Sequence, residues 1–145
     1  MKRKILIAGT FDILHLGHIK LFEWVKKRFD GELVVIVARD ENVEKIKGRK
    51  PVFSEKERKK MLEAIRFVDK VVLGDKKDFL KPILKEKPEI IVLGYDQWME
   101  KKELEKKLKS LGIKAKVVKA PKFNPEKWKS SKILEKIMYL NLKKD

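Results

Sequence analysis

KILIAGTFDILHLGHIKLFEWVKKRFDGELVVIVA, residues 4–38, holds two apolar runs on either side of an amphipathic stretch. KILIAG (4–9) is a short apolar run closed by glycine, the pattern of a strand buried on both faces. In HLGHIKLFEWVKKR (15–28), Leu16, Ile19, Phe22 and the Trp24–Val25 pair recur at helical spacing, and Trp24 reads as core. ELVVIVA (32–38) is rich in Val and Ile and reads as a second strand. Strand, helix and strand in so short a span make a parallel unit with a right-handed crossover.

The same alternation continues. RDENVEKIKGRKPVF (39–53) is polar and basic and reads as a long connection. Ser54 and Glu57 stand at capping-box spacing, predicting a helix from Ser54 to about Arg66. DKVVLG (69–74) is a third strand, 78–87 a helix with Pro82 in its first turns, and EIIVLGYD (89–96) a fourth strand. Residues 99–111 form a helix with Leu104, Leu108 and Leu111 on one face, stopped by Gly112. KAKVVKA (114–120) is a fifth strand, and a Pro-containing loop (121–129) leads to a last helix near Ser130. Five strands alternating with helices predict an α/β chain, a single domain over residues 1–145. Its expected architecture is an open, doubly wound, five-stranded parallel sheet with helices on both faces, Rossmann-like.

Composition narrows the function. Cysteine is absent, which excludes disulfides and thiolate metal sites and fits a reducing compartment. One glutamine and three asparagines beside abundant Lys and Glu suit a thermophilic protein. MKRKILIAGTFD begins like a signal peptide, but Asp12 and His15 interrupt the apolar run and no cleavage site follows. No run approaches membrane-spanning length, so the expectation is a cytoplasmic protein with no membrane partner. The net charge of +16 attracts anionic substrates and polyanions.

Both histidines of the chain lie within GTFDILHLGH (9–18). This stretch is the turn from the first strand into the first helix, at the carboxyl edge of the sheet, where ligands bind in such folds. A helix N-terminus suits a phosphate. His15 and His18, three apart, share one face, and Gly17 between them lets a ligand approach the backbone. Two imidazoles can donate to one phosphate and stabilise charge that develops during transfer. The competing role is local, with both histidines hydrogen-bonding the start of their own helix. A metal reading of H-x-x-H lacks further ligands, because no Cys and no third His exist.

GTFD-x-x-H-x-G-H resembles the signature of the HxGH nucleotidyltransferase superfamily. RDENVEKIKGRKPVFSEKERKKMLEAIRFVD (39–69), IIVLGYDQ (90–97) and WKSSKILEKI (128–137) extend the likeness, and the whole is most similar to the archaeal FAD synthases, the FMN adenylyltransferases. The resemblance implies transfer of AMP from ATP to FMN with release of pyrophosphate. It implies His15, His18, Lys47 and Arg49 as the catalytic group. It places Gly9, Thr10, Phe11, Leu16 and Gly17 against the nucleotide, Arg58 on a phosphate, and Asp96 near the ribose and base. It places Ser130 and Ser131 at a helix start that binds the β- or γ-phosphate. Phe123, in the loop after the fifth strand, is a candidate for stacking on adenine or equally a loop anchor, and Trp98 and Trp128 flank the nucleotide edge.

Ser130–Ser131 is also readable as an ordinary helix cap. KIKGRK (45–50) is also readable as a solvated basic loop or a nucleic-acid patch; within it Arg49 suits bidentate phosphate pairing best. The cytidylyltransferases carry Arg-Thr-x-Gly-Ile-Ser-Thr before the last helix; FNPEKWKSSK stands here instead, which favours adenine. Mg²⁺ is expected to ride on the nucleotide, with Asp12 and Asp40 as indirect helpers and no metal-ligating residue assigned. The alternatives are a cytidylyl- or adenylyltransferase for another phosphorylated acceptor such as glycerol 3-phosphate, and a non-catalytic nucleotide- or RNA-binding module. Basic residues spread through the helices argue against nucleic acid. A homodimer is the expected assembly.

Overall fold

The computed structural model describes residues 3–95 and 99–143. Five parallel strands form one sheet in the order β3-β2-β1-β4-β5. They are β1 (Arg3–Gly9), β2 (Gly31–Val37), β3 (Lys70–Leu73), β4 (Ile90–Leu93) and β5 (Lys116–Lys119). The helices are α1 (Leu16–Arg28), α2 (Asp40–Lys47), α3 (Glu55–Glu63), α4 (Lys81–Glu86), α5 (Lys101–Ser110) and α6 (Ser130–Leu142).

The alternation of strand side chains builds two cores. Ile5 and Ile7 of β1, with Leu33, Val35 and Val37 of β2, pack against Phe22 and Val25 of α1 and Leu62 of α3. Leu6, Ile36 and Ile91 point the other way, to Ile83 of α4 and to Leu104 and Leu108 of α5. Both faces are covered, so the central strands are apolar throughout, as a parallel sheet requires. Leu111 does not join its two predecessors. It is the C-cap of α5 and 48% exposed, because Gly112, with φ +75°, turns the chain just after it.

Residues 39–53 do not form a plain connection: Asp40–Lys47 is a helix. It buries one residue, Val43, so no apolar stripe announces it. Charge polarity and a terminal glycine hold it instead, with Asp40 and Glu41 in the first turn, Lys45 and Lys47 in the last, and Gly48 at φ +73°. The Ser54–Glu57 capping box forms as expected, although α3 ends at Glu63. Among the described residues no helix is long and apolar enough to cross a membrane.

The chain runs from β1 through β2 to β3 in one direction, then returns to place β4 on the other side of β1. The switch point therefore lies between the carboxyl ends of β1 and β4. GTFDILHLGH leaves β1 at that point.

Candidate active site

The turn after β1 is built on two constraints. Phe11 has φ +52° and turns its ring into the core, 7% exposed, against Phe22 and His18. A Cβ on Gly9 would lie 2.8 Å from that ring, so glycine is required where the strand ends. Phe11 thus supports the turn from beneath, and its ring faces the core instead of the rim.

His15 is the N-cap of α1. Its Nδ1 accepts the Gly17 amide at 3.1 Å, and Nδ1 of His18 accepts the His15 amide at 3.3 Å. The pair forms a capping box in which imidazoles replace the usual hydroxyl and carboxylate. The rings stack with centroids 3.8 Å apart. The capping role and the donor role are therefore compatible. Each Nδ1 is occupied as an acceptor, which assigns both rings to the neutral tautomer with the proton on Nε2 and leaves two Nε2–H donors. Gly17 is needed for packing: a Cβ there would meet the His15 ring at 2.9 Å and Trp128 at 3.2 Å. Leu16, the first residue of α1, is exposed.

The rings resist protonation. Burial drives the His18 pKa from 6.5 to about 3, aided by the charges of His15 and Lys47, and burial also lowers His15. Lys47, the last residue of α2, is thus close enough for His18 to feel its charge. The unfolded chain binds more protons than the folded one between about pH 6.5 and about pH 3, so stability falls as pH drops through that window. Urea midpoints measured downward from pH 7 should show this loss, and His18→Gln should make it shallower. An unchanged acid limb in the variant would remove His18 as the source.

Two buried charged groups fasten the α2–α3 segment to the turn. Asp12, 5% exposed, accepts the Val52 and Phe53 amides at 2.7 and 2.9 Å and lies 3.8 Å from Nη1 of Arg49. Arg58, 1% exposed, donates to the carbonyls of Phe53 and Thr10 and to Asp40 at 2.6 Å. The family resemblance implies Arg58 on a phosphate; in the structure its guanidinium has three protein acceptors and holds the site together. Asp12 and Asp40, expected as indirect helpers of a nucleotide-borne Mg²⁺, are paired with Arg49 and Arg58.

On the opposite flank, Ser130 Oγ donates to the Ile13 carbonyl at 3.3 Å, joining α6 to the turn. Lys129, not a serine, is the N-cap; Ser130 and Ser131 are the first two helical residues, Ser131 exposed. Lys20 and Lys127 lie 5.0 and 5.9 Å from the Trp128 ring. Phe123 is half-buried in the loop after β5. Asp96 and Trp98 lie outside the described residues. The structure brings His15, His18, Thr10, Lys47, Arg49, Ser130 and Trp128 around one turn. Sequence reasoning did not find the buried Asp12 latch or the place of Trp128. The signal for the first was an acid inside an otherwise apolar turn.

The family model described as cytidylyltransferase-like matches residues 6–136. The FAD synthase of Korarchaeum cryptofilum is 43% identical over 97% of this chain and 95% of its own. The FAD synthase of Ferroglobus placidus is 45% identical over 95% of this chain and 90% of its own. The crystal structure of the lipopolysaccharide core biosynthesis protein from Thermoplasma volcanium is 40% identical, covers 86% of this chain and 100% of that one, and superposes with a TM-score of 0.81. With its full signature turn and these likenesses, the chain belongs to the cytidylyltransferase-like family, alongside those FAD synthases.

Proposed function

We propose that this chain is a nucleotidyltransferase that moves AMP from ATP to FMN, giving FAD and pyrophosphate. The observation that carries the reading is the likeness to FAD synthases over nearly the whole chain. A phosphate oxygen of FMN attacks the α-phosphorus of ATP, and the bond to the β-phosphate oxygen breaks. At neutral pH the FMN phosphate is largely a dianion, its second pKa being about 6, so the step needs no general base. It needs donors where negative charge develops. The Nε2–H groups of His15 and His18 fill that role, as neutral donors that neither take up nor release a proton.

Lys47 and Arg49 offset the charge of the reacting phosphates. The free amides at the start of α6, beside Ser130 and Ser131, suit the departing pyrophosphate. Among the described residues no three His, Asp or Glu side chains gather as a cation site. Mg²⁺ in this reading travels with the triphosphate and neutralises it. The absence of the Arg-Thr-x-Gly-Ile-Ser-Thr string before α6 supports ATP over CTP. A homodimer belongs to the same reading, and the exposed apolar residues of α6, such as Ile137 and Leu140, support it.

The test is direct. Pure protein with Mg²⁺, FMN and ATP should yield FAD and pyrophosphate in equal amounts, whereas glycerol 3-phosphate with CTP should yield neither nucleotide product nor pyrophosphate. Failure to form FAD in the first mixture would overturn the reading.

A further inference from the structure

The segment between α2 and α3 is fixed without being part of the core. From Gly48 to Ser54 none of its residues is buried; Pro51 is half-buried and the rest are exposed. Its backbone is nevertheless held by two groups that are themselves buried, Asp12 on the Val52 and Phe53 amides and Arg58 on the Phe53 carbonyl. Burying a carboxylate and a guanidinium is costly unless they are well paired. Core packing gives little reason to fix a loop none of whose residues is fully buried. Ligand surfaces do require such fixing, with groups held in place before the ligand arrives.

The side chains on this segment suit one kind of ligand. Between Lys45 and Lys60 the large apolar residues are Ile46, Val52 and Phe53, and they are 69%, 55% and 40% exposed. They accompany Lys47 and Arg49 on the same stretch. Cations beside an exposed apolar group match a molecule with a phosphate at one end and a flat, largely apolar ring system at the other. The reaction joins two ring-bearing phosphates, so it needs two such flanks. The opposite flank, after β4 and β5, carries Tyr95 and Trp128, each already met by a lysine over its ring, whereas Val52 and Phe53 stand exposed.

We propose that Val52 and Phe53, with Ile46, receive the isoalloxazine ring of the acceptor while Arg49 takes its phosphate. The subsite rests on the FMN reading above. Phe53→Ala is expected to raise the KM for FMN about tenfold, as loss of one buried aromatic contact implies. The KM for ATP should stay within about twofold, because that substrate does not meet the ring. The thermal midpoint should fall by only a few degrees, since Phe53 is outside the buried core, and Phe53→Trp should restore a low KM for FMN. An unchanged KM for FMN, or equal rises in both KM values, would overturn the subsite while wild-type FAD synthesis stood. Absence of FAD from the wild type would overturn the function reading and the subsite with it.

Discussion

Replacing His18 with alanine is expected to lower kcat for FAD formation by about 10²–10³-fold, the usual effect of removing one preorganised donor from developing charge. The expectation follows from the tautomer. With Nδ1 held by the His15 amide, the remaining Nε2–H is the group left to donate to substrate. A donor that matters mostly in the transition state changes kcat more than KM. The same residue caps α1 and meets Phe11 edge-on, so the variant should also lose about 1 kcal/mol of stability. Steady-state kinetics on folded variant protein would check it, and turnover within a few-fold of wild type would remove His18 from the chemistry.

Arg58→Met is expected to produce the largest loss of stability, about 3 kcal/mol, in the range for breaking a buried ion pair whose partners are left unserved. Three acceptors depend on this one guanidinium: the carbonyls of Thr10 and Phe53 and the carboxylate of Asp40. Asp40 is partly exposed and can rehydrate, which keeps the loss below the upper end. Arg58→Lys should recover little, because an ammonium lacks the planar fork that reaches three acceptors. Denaturant midpoints would measure both. A variant as stable as the wild type would mean that the latch contributes nothing net.

The sheet was legible because its strands are apolar on both faces and its major helices carry an apolar stripe, as in Phe22 and Val25. The H-x-G-H turn was legible because two histidines and a glycine sat where a strand meets a helix. The helix at Asp40–Lys47 was not, since a helix resting on one valine leaves no periodic signal; its mark was charge order and Gly48. Arg58 was visible as a basic residue on a helix, but its partners lie 5, 18 and 48 positions away in sequence. No local pattern tells a phosphate-binding arginine from one that satisfies distant carbonyls. The H-x-x-H spacing also equals that of a capping box, so the local role and the chemical role share one signature.

The catalytic role of the signature histidines depends on Nδ1 being bound to backbone and Nε2–H being left to donate. Nitrogen-15 NMR of the imidazoles at about pH 6, just below the ordinary histidine pKa, reads charge and tautomer ring by ring. His18 should be neutral, and in both rings the neutral form should carry its proton on Nε2 and none on Nδ1. A cationic His18, or a neutral ring of either histidine with its proton on Nδ1, would show that the paired Nε2–H donors do not exist.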